Sequence, residues 1–419
     1  MKTRPTRLMA LAASAFLLAG VAFATPAGAS VPKGAAPSAA DTGAVAAAVR
    51  AYQASYPQMS DASARQAFAQ QVDRKKVYER ISADASTYGG AWFDPPTGVM
   101  HLATTTKAAA SVAAKAAQEL GIRAETHVVG RTWAELERQA GALRTGTDGL
   151  AKAAKGQVGI DVKTNSVVVA VPAGTLTTAR TAAPAGVSVI ADPNIQTEAD
   201  AGCTSRLDCD WTVRAGAVLR YNGSGTCSVG FTARNASAQR FVYTAGHCNS
   251  GGGTWSTGAQ SIGPMTNSLQ SGAIDAGIIR VDNSWFQYDS GGEIYIEDAD
   301  RSIALNYVAP TTGYLLVGET VCLSANFTEI NGPNYCGTIG STSDASVLGM
   351  VRVDGFDSCG GDSGGGWYWL GSATYRVAYG IHSRSDIGCH GDSGGSRSWF
   401  GSIPLVTPLW GLTIETRAS

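Results

Sequence analysis

Three absences frame the reading of this 419-residue chain. The first 202 residues contain no cysteine, and all eight cysteines fall between Cys203 and Cys389. No lysine occurs from Ala201 to Ser419, although eight lie between Ser30 and Asp200. Metal-ligand spacing is missing too: no Cys-x-x-Cys and no paired Cys/His pattern is present, so neither a metal nor a cofactor is expected. An even set of cysteines confined to one region instead reads as a disulfide framework, made outside a reducing cytosol. Charge is scarce, at 16% charged residues and a net charge of −1. That balance gives no global pull toward nucleic acid or an anionic membrane. After the first thirty residues, no apolar run is long enough to cross a bilayer.

What is present divides the chain in three. Lys2, Arg4 and Arg7 precede an apolar run from Leu8 to Ala24, and Ala27-Gly28-Ala29 supplies a small-x-small cleavage site. Residues 1–29 therefore read as a secretory signal peptide. Residues 30–200 read as a small, Ala-rich α+β domain. Helices are expected over Ala44–Gln71, Thr105–Leu120 and Trp133–Leu143. Extended segments are expected over Ala91–Thr104, around Pro95-Pro96, and over Gln157–Pro172. Ala182–Asp200, with Pro184 and Pro193 and few large apolar residues, reads as a linker.

From Ala201 to Ser419 the texture changes to short strands between Gly- and Ser-rich turns, with 12 Arg against 18 Asp plus Glu. Arg240–Thr244, Ala276–Val281, Tyr314–Cys322 and Ala373–His382 are such strands, and Leu405–Thr413 is a short helix or a closing strand. This pattern predicts an all-β barrel or sandwich.

Three strings in that region carry chemistry. Thr244-Ala245-Gly246-His247-Cys248 presents a histidine, Ala273-Ile274-Asp275-Ala276-Gly277 places an acid at the head of an apolar strand, and Gly361-Asp362-Ser363-Gly364-Gly365 presents a serine between glycines. Each alone has a structural explanation. Together, in the order His, Asp, Ser, they point to an activated serine nucleophile, because a serine hydroxyl needs a base, and the base an orienting carboxylate. Asp282 is the rival acid, but it follows its strand instead of opening it.

On these motifs the chain resembles the chymotrypsin-like serine proteases, specifically the secreted bacterial branch of alpha-lytic protease and the streptogrisins. The resemblance spans Cys203 to about Trp410 and implies two six-stranded antiparallel barrels. Gly89-Gly90-Ala91-Trp92-Phe93-Asp94 and Asp161–Val171 resemble the pro-region of that branch, which acts there as folding catalyst and inhibitor. The resemblance implies an endopeptidase with His247, Asp275 and Ser363 as triad and the backbone N–H groups of Gly361 and Ser363 as oxyanion hole. It pairs Cys227 with Cys248, Cys322 with Cys336 and Cys359 with Cys389, leaving Cys203 with Cys209. Its implied partners are protein or peptide substrates and the chain's own pro-domain. The mature enzyme is expected to be a secreted monomer, free of nucleic acid and membrane.

A second Gly-Asp-Ser-Gly-Gly string surrounds Ser393. After Ser393 too little chain remains to build the strand beside the substrate and the far pocket wall, so Ser363 is taken as the nucleophile. The carboxylate of Asp362 needs a partner. The internal Arg that often serves this role in the bacterial branch is absent from Leu323-Ser324-Ala325-Asn326.

The residue six before the nucleophile, Asp357, falls where relatives place the base of the specificity pocket. With Ser358 it resembles the trypsin arrangement and implies cleavage after Arg or Lys. His382, with Ser383 and Ser385, is the competing signal, because glutamate-specific relatives place a histidine there. A catalytically inactive binding protein on the same fold is the rival of another class. A lipase or esterase is excluded by the order of the three residues.

Overall fold

The computed structural model describes residues 39–147, 149–154, 157–191, 213–222, 224–249, 251–257, 260–287, 291–296, 302–326, 335–356, 358–372, 375–386 and 396–417. The expected signal peptide, Cys203, Cys209, Asp357, Cys389 and Ser393 lie outside the described residues.

The segment before the barrels begins with three helices, Ala39–Ser55, Asp61–Ala69 and Gln71–Ser82. The single helix expected over Ala44–Gln71 is broken at Pro57, whose missing N–H and fixed φ stop a helix. Ser60 then restarts it by accepting the N–H of Ser63 at 3.1 Å. The helix Gln71–Ser82 was not foreseen. Its run of Arg74, Lys75 and Lys76 reads as solvated, yet Arg74 and Lys75 are buried.

Two similar units follow. The hairpin Tyr88–Asp94/Val99–Thr104 leads through the helix Lys107–Glu119 to the strand Ala124–Val128, which runs parallel to Val99–Thr104. The hairpin Val158–Asp161/Ser166–Val171 leads through the helix Leu176–Ala182 to Val187–Ala191, parallel to Ser166–Val171. Val187–Ala191 corrects the linker expected over Ala182–Asp200. Its alternating Val187, Val189 and Ala191 complete a sheet, so any linker begins later.

Beyond Val213 most strands form two antiparallel systems, with a separate hairpin of Glu293–Tyr295 and Ser302–Ala304. In the first, ladders join Val218–Tyr221, Thr254–Thr257, Gln260–Ser271, Ile274–Arg280, Arg240–Thr244 and Phe231–Arg234 in spatial order. Ser224–Ser228 pairs with Val218–Tyr221 and runs through Val229 and Gly230 directly into Phe231–Arg234. The amides of Val229 and Gly230 bond Ala217 and Tyr243, at 2.8 and 2.7 Å. The two ends of the sheet are thus one chain path, and six strands close into a barrel. The second system closes through Gly366–Leu370, Thr320–Ser324, Cys336–Asp344, Met350–Asp354, Arg397–Ser402 and Arg376–Ser385, the last two also pairing with each other. The expected strand Tyr314–Cys322 is a 3-10 turn at Thr312–Tyr314 followed by a strand from Thr320. The carboxyl end supplies both expected alternatives, a helical turn at Ile403–Val406 and a strand at Thr413–Ile414 against the first barrel.

One apolar core runs through the preceding segment and the second barrel, joining Tyr52 and Phe93 to Leu323, Trp367 and Trp369. Burying one such side chain stabilises by about 1.5–3 kcal/mol. Polar contacts follow the same boundary: Phe93 N–H bonds Val317 O at 2.8 Å, and Arg144 reaches Ser343 Oγ at 3.2 Å.

Candidate active site

The histidine and the acid come from the first barrel, the serine from the second. His247 sits in the 3-10 turn Gly246–Cys248, just past the fully buried strand Arg240–Thr244. The Cys227–Cys248 disulfide ties that turn to the strand Ser224–Ser228. Asp275 is the second residue of Ile274–Arg280, which pairs with Arg240–Thr244 and so brings the acid beneath the turn. Ser363 lies in the turn before Gly366–Leu370 of the second barrel.

These placements converge. His247 Nδ1 is 2.7 Å from Asp275 Oδ2, and the backbone N–H of His247 bonds Asp275 Oδ1 at 2.9 Å. His247 Nε2 is 2.8 Å from Ser363 Oγ. A carboxylate only accepts, so Nδ1 carries the ring proton and Nε2 is left to accept from the serine hydroxyl. Asp275 is fully buried. Burial alone would lift its carboxyl, but hydrogen bonds from His247 and Ser383 outweigh that and hold it below the ordinary carboxylate range. The acid therefore stays charged and can hold one tautomer of the ring. Asp282, the rival acid, instead forms an exposed pair with Arg280 at 2.6 Å.

The serine turn is braced by the first barrel. Ser228 N–H bonds Ser363 O at 2.7 Å, and Ser228 Oγ–H bonds Gly361 O at 2.9 Å. Gly361 has φ +100° and Gly364 φ +87°, conformations that glycine adopts without penalty. A Cβ on Gly364 would also fall 2.1 Å from Thr244 Oγ1. Among the described residues, neither Gly361 N–H nor Ser363 N–H has an acceptor. Two unsatisfied donors beside a nucleophile can receive a developing oxyanion. The carboxylate of Asp362, fully buried, accepts the backbone N–H of Cys359 at 2.8 Å. A backbone donor is thus one partner of the carboxylate for which the sequence offered no Arg.

The expected pocket residues separate on inspection. Ser358 Oγ and Ser398 Oγ are 3.2 Å apart, and Ser385 pairs with Ser398 across the ladder. Small hydroxyl side chains therefore meet here, and Asp357 lies outside the described residues. Ser383 turns its hydroxyl to the acid and donates to Asp275 Oδ2 at 2.6 Å. His382 is fully buried, and its Nδ1 accepts the indole N–H of Trp367 at 3.2 Å. The disulfides Cys227–Cys248 and Cys322–Cys336 are present, and Cys359 is disulfide-bonded. Sequence reasoning missed Ser228 altogether and the side-chain role of Ser383. No local signal marks either, because their partners lie more than a hundred residues away.

No family model matches the chain. Serine protease 1 of Streptomyces fradiae is 30% identical over 322 residues, covering 73% of this chain and 77% of that protein. That coverage exceeds what the residues after Asp200 can supply, so the likeness extends into the preceding segment. Serine protease 2 of the same organism is 28% identical over 161 residues, covering 36% of this chain and 86% of that protein. Among solved structures, a Nocardiopsis protease is 26% identical, with a TM-score of 0.39, covering 49% of this chain and 100% of its own. Thermobifida fusca protease A is also 26% identical, with a TM-score of 0.38 and the same coverages.

Proposed function

This chain belongs to the bacterial chymotrypsin-like serine proteases, and we propose that it is a secreted endopeptidase, made as a precursor, that cleaves after Arg or Lys. The observation that carries the catalytic reading is His247 bonded on one side to Asp275 and on the other to Ser363. In this reading Ser363 Oγ attacks the scissile carbonyl carbon while His247 Nε2 takes its proton. The N–H groups of Gly361 and Ser363 receive the oxyanion. The imidazolium, stabilised by Asp275, then protonates the leaving amine, and an acyl-enzyme remains. Water attacks that ester with His247 again as base, releasing the acid and restoring the hydroxyl.

The precursor reading draws on composition and packing. Residues 1–29 carry the pattern of a signal peptide, and residues 30–200 lack cysteine. The segment before the barrels docks on the second barrel through side chains fitted to it, as a folding aid and inhibitor would. The preference for Arg or Lys rests on Asp357. A carboxylate at the base of the specificity pocket would favour a cationic side chain and reject an acidic one.

The test is to map cleavage sites in a denatured protein by mass spectrometry, for the parent and for Asp357→Ser. Cleavage after Arg and Lys, lost in the variant, supports the reading. Cleavage mainly after Glu, improved in Asp357→Ser, would assign the specificity to His382 instead.

A further inference from the structure

We propose that His101, Glu125 and His127 form a divalent-metal site of the zinc class in the segment that precedes the barrels. The proposal is independent of the proteolytic reading. No sequence spacing announces it: 26 residues separate the two histidines. The fold joins them. Val99–Thr104 and Ala124–Val128 pair in parallel, with His101 opposite Glu125 and Ala103 opposite His127. Residues two apart on a strand share a face, so Glu125 and His127 flank His101 on one side of the sheet.

The donor atoms are already gathered. His101 Nδ1 lies 2.9 Å from His127 Nε2 and 3.7 Å from Glu125 Oε2. All three donor atoms lie within 4.8 Å of one another. Tetrahedral zinc bonded at about 2.0–2.1 Å needs donors about 3.3 Å apart, so a small spreading of the imidazole pair would admit the ion. A hydrogen-bonded imidazole pair can be packing alone. Here a carboxylate completes a two-His, one-acid set, the donor chemistry that suits zinc.

The rings are also held in advance. The indole of Trp92 stacks on His101 at 4.8 Å and 12°, and on His127 at 5.3 Å and 20°. One aromatic plane thus fixes both imidazoles, and strands place donors more firmly than loops do. The Glu125 side chain is 60% exposed, which gives an ion an entry path and a fourth position for water. Trp92 lies on the strand that forms a bridge to Val317 of the second barrel. A bound ion would tie Val99–Thr104 to Ala124–Val128 one strand away from that contact.

The experiment titrates the full-length Ser363→Ala chain with Zn²⁺ alone by calorimetry and repeats the titration with His101→Ala, His127→Ala and Glu125→Gln. The expected result is one site whose affinity falls by at least the roughly 10–100-fold typical of losing even an outer-shell partner. Cu²⁺ should quench a share of the tryptophan emission that Trp92→Phe removes. Far-UV circular dichroism checks folding, and the exposed Glu125→Gln gives an arm that does not depend on the histidine variants folding. No Zn²⁺ binding by the parent, or binding unchanged in all three ligand variants, would overturn the proposal.

Discussion

In the barrels, buried charged groups are matched from within. Asp275 is held by His247 and Ser383, Arg240 by Glu415 at 2.7 Å, and Asp344 by Arg352 and the indole of Trp399. In the preceding segment, Arg74 is held by the Ala67 carbonyl and the Phe93 ring of its own segment, but Lys75 and Gln71 on the helix Gln71–Ser82 are matched across the boundary. Lys75 Nζ lies 2.8 Å from Glu319 Oε1 and donates to the carbonyl of Tyr314. Rings of Tyr314, Trp369 and Tyr379, all from the second barrel, surround it at 4.3–5.6 Å. Gln71 accepts the N–H of Thr320 and donates to Leu370 O, both at 2.9 Å. Asp275, Arg240 and Asp344 carry their compensation within the barrels, whereas Lys75 and Glu319 compensate each other across the boundary. A buried ammonium without a partner costs several kcal/mol, so this helix is fitted to the barrel and not to water.

The sharpest break of that comparison removes the chemistry and leaves the packing. Ser363→Ala should lower turnover by about a millionfold while leaving the melting of the full chain nearly unchanged. Ser393→Ala should retain turnover within a small factor. A dead Ser393→Ala enzyme, measured by peptide hydrolysis and fluorophosphonate labelling, would show that the wrong Gly-Asp-Ser string was chosen.

The borrowed charge is tested next. In the Ser363→Ala background, Lys75→Met leaves the Glu319 carboxylate buried without its ammonium. Breaking one side of a buried pair costs about 3–5 kcal/mol, read as a lower urea midpoint. Adding Glu319→Gln should recover much of the loss, because a neutral, well-packed pair has less to desolvate. A Lys75→Met chain as stable as its parent would mean that the helix is held by its apolar side alone.

The same contrast explains what could be read from the sequence. His247, Asp275 and Ser363, which the fold brings together, were legible as candidates because each sits in a local string: a glycine-flanked serine, a histidine at a strand's end, an acid at a strand's head. The barrels were legible from short strands between glycine-rich turns. Ser228 and Ser383 were not, since each is an ordinary strand serine until the fold brings Gly361 or Asp275 to it. The helix Gln71–Ser82 was hidden for a related reason: Lys75 is tolerated in the interior because Glu319 and the Tyr314 carbonyl of the second barrel receive it. His101 and His127, 26 residues apart, belong to no local string, and a parallel crossover sets them side by side.

Ser383→Ala probes the self-contained side at smaller cost. It removes one hydrogen bond to a buried charge, worth about 1.5–3 kcal/mol, and kcat/KM should fall correspondingly. The loss should be accompanied by a shift of the acid limb of the pH–rate profile, because Asp275 loses a donor that keeps it ionised. Ser383→Thr, which keeps a hydroxyl, should recover part of the activity. A pH profile identical to the parent's would reduce Ser383 to packing.

The smallest effect lies where the chain ends. Glu415 closes the first barrel by pairing with Arg240 and Arg234, each at 2.7 Å. Burial alone would raise its carboxyl, but Arg240 outweighs burial and holds it below the ordinary range. Asp275 is lowered in the same sense. A carboxyl depressed in the folded state binds its proton more readily once unfolded, so unfolding takes up protons in acid. The stability it contributes is therefore full above the ordinary value of about 4 and is lost as pH falls through the lower, folded value. Glu415→Gln should cost on the order of 1 kcal/mol at neutral pH and flatten the decline in urea midpoint between about pH 4 and pH 2. If the Glu415→Gln chain kept the full acid slope, the barrel's resistance to acid would rest on Asp275 and other carboxylates, and the buried Arg240–Glu415 pair would contribute nothing to the acid dependence.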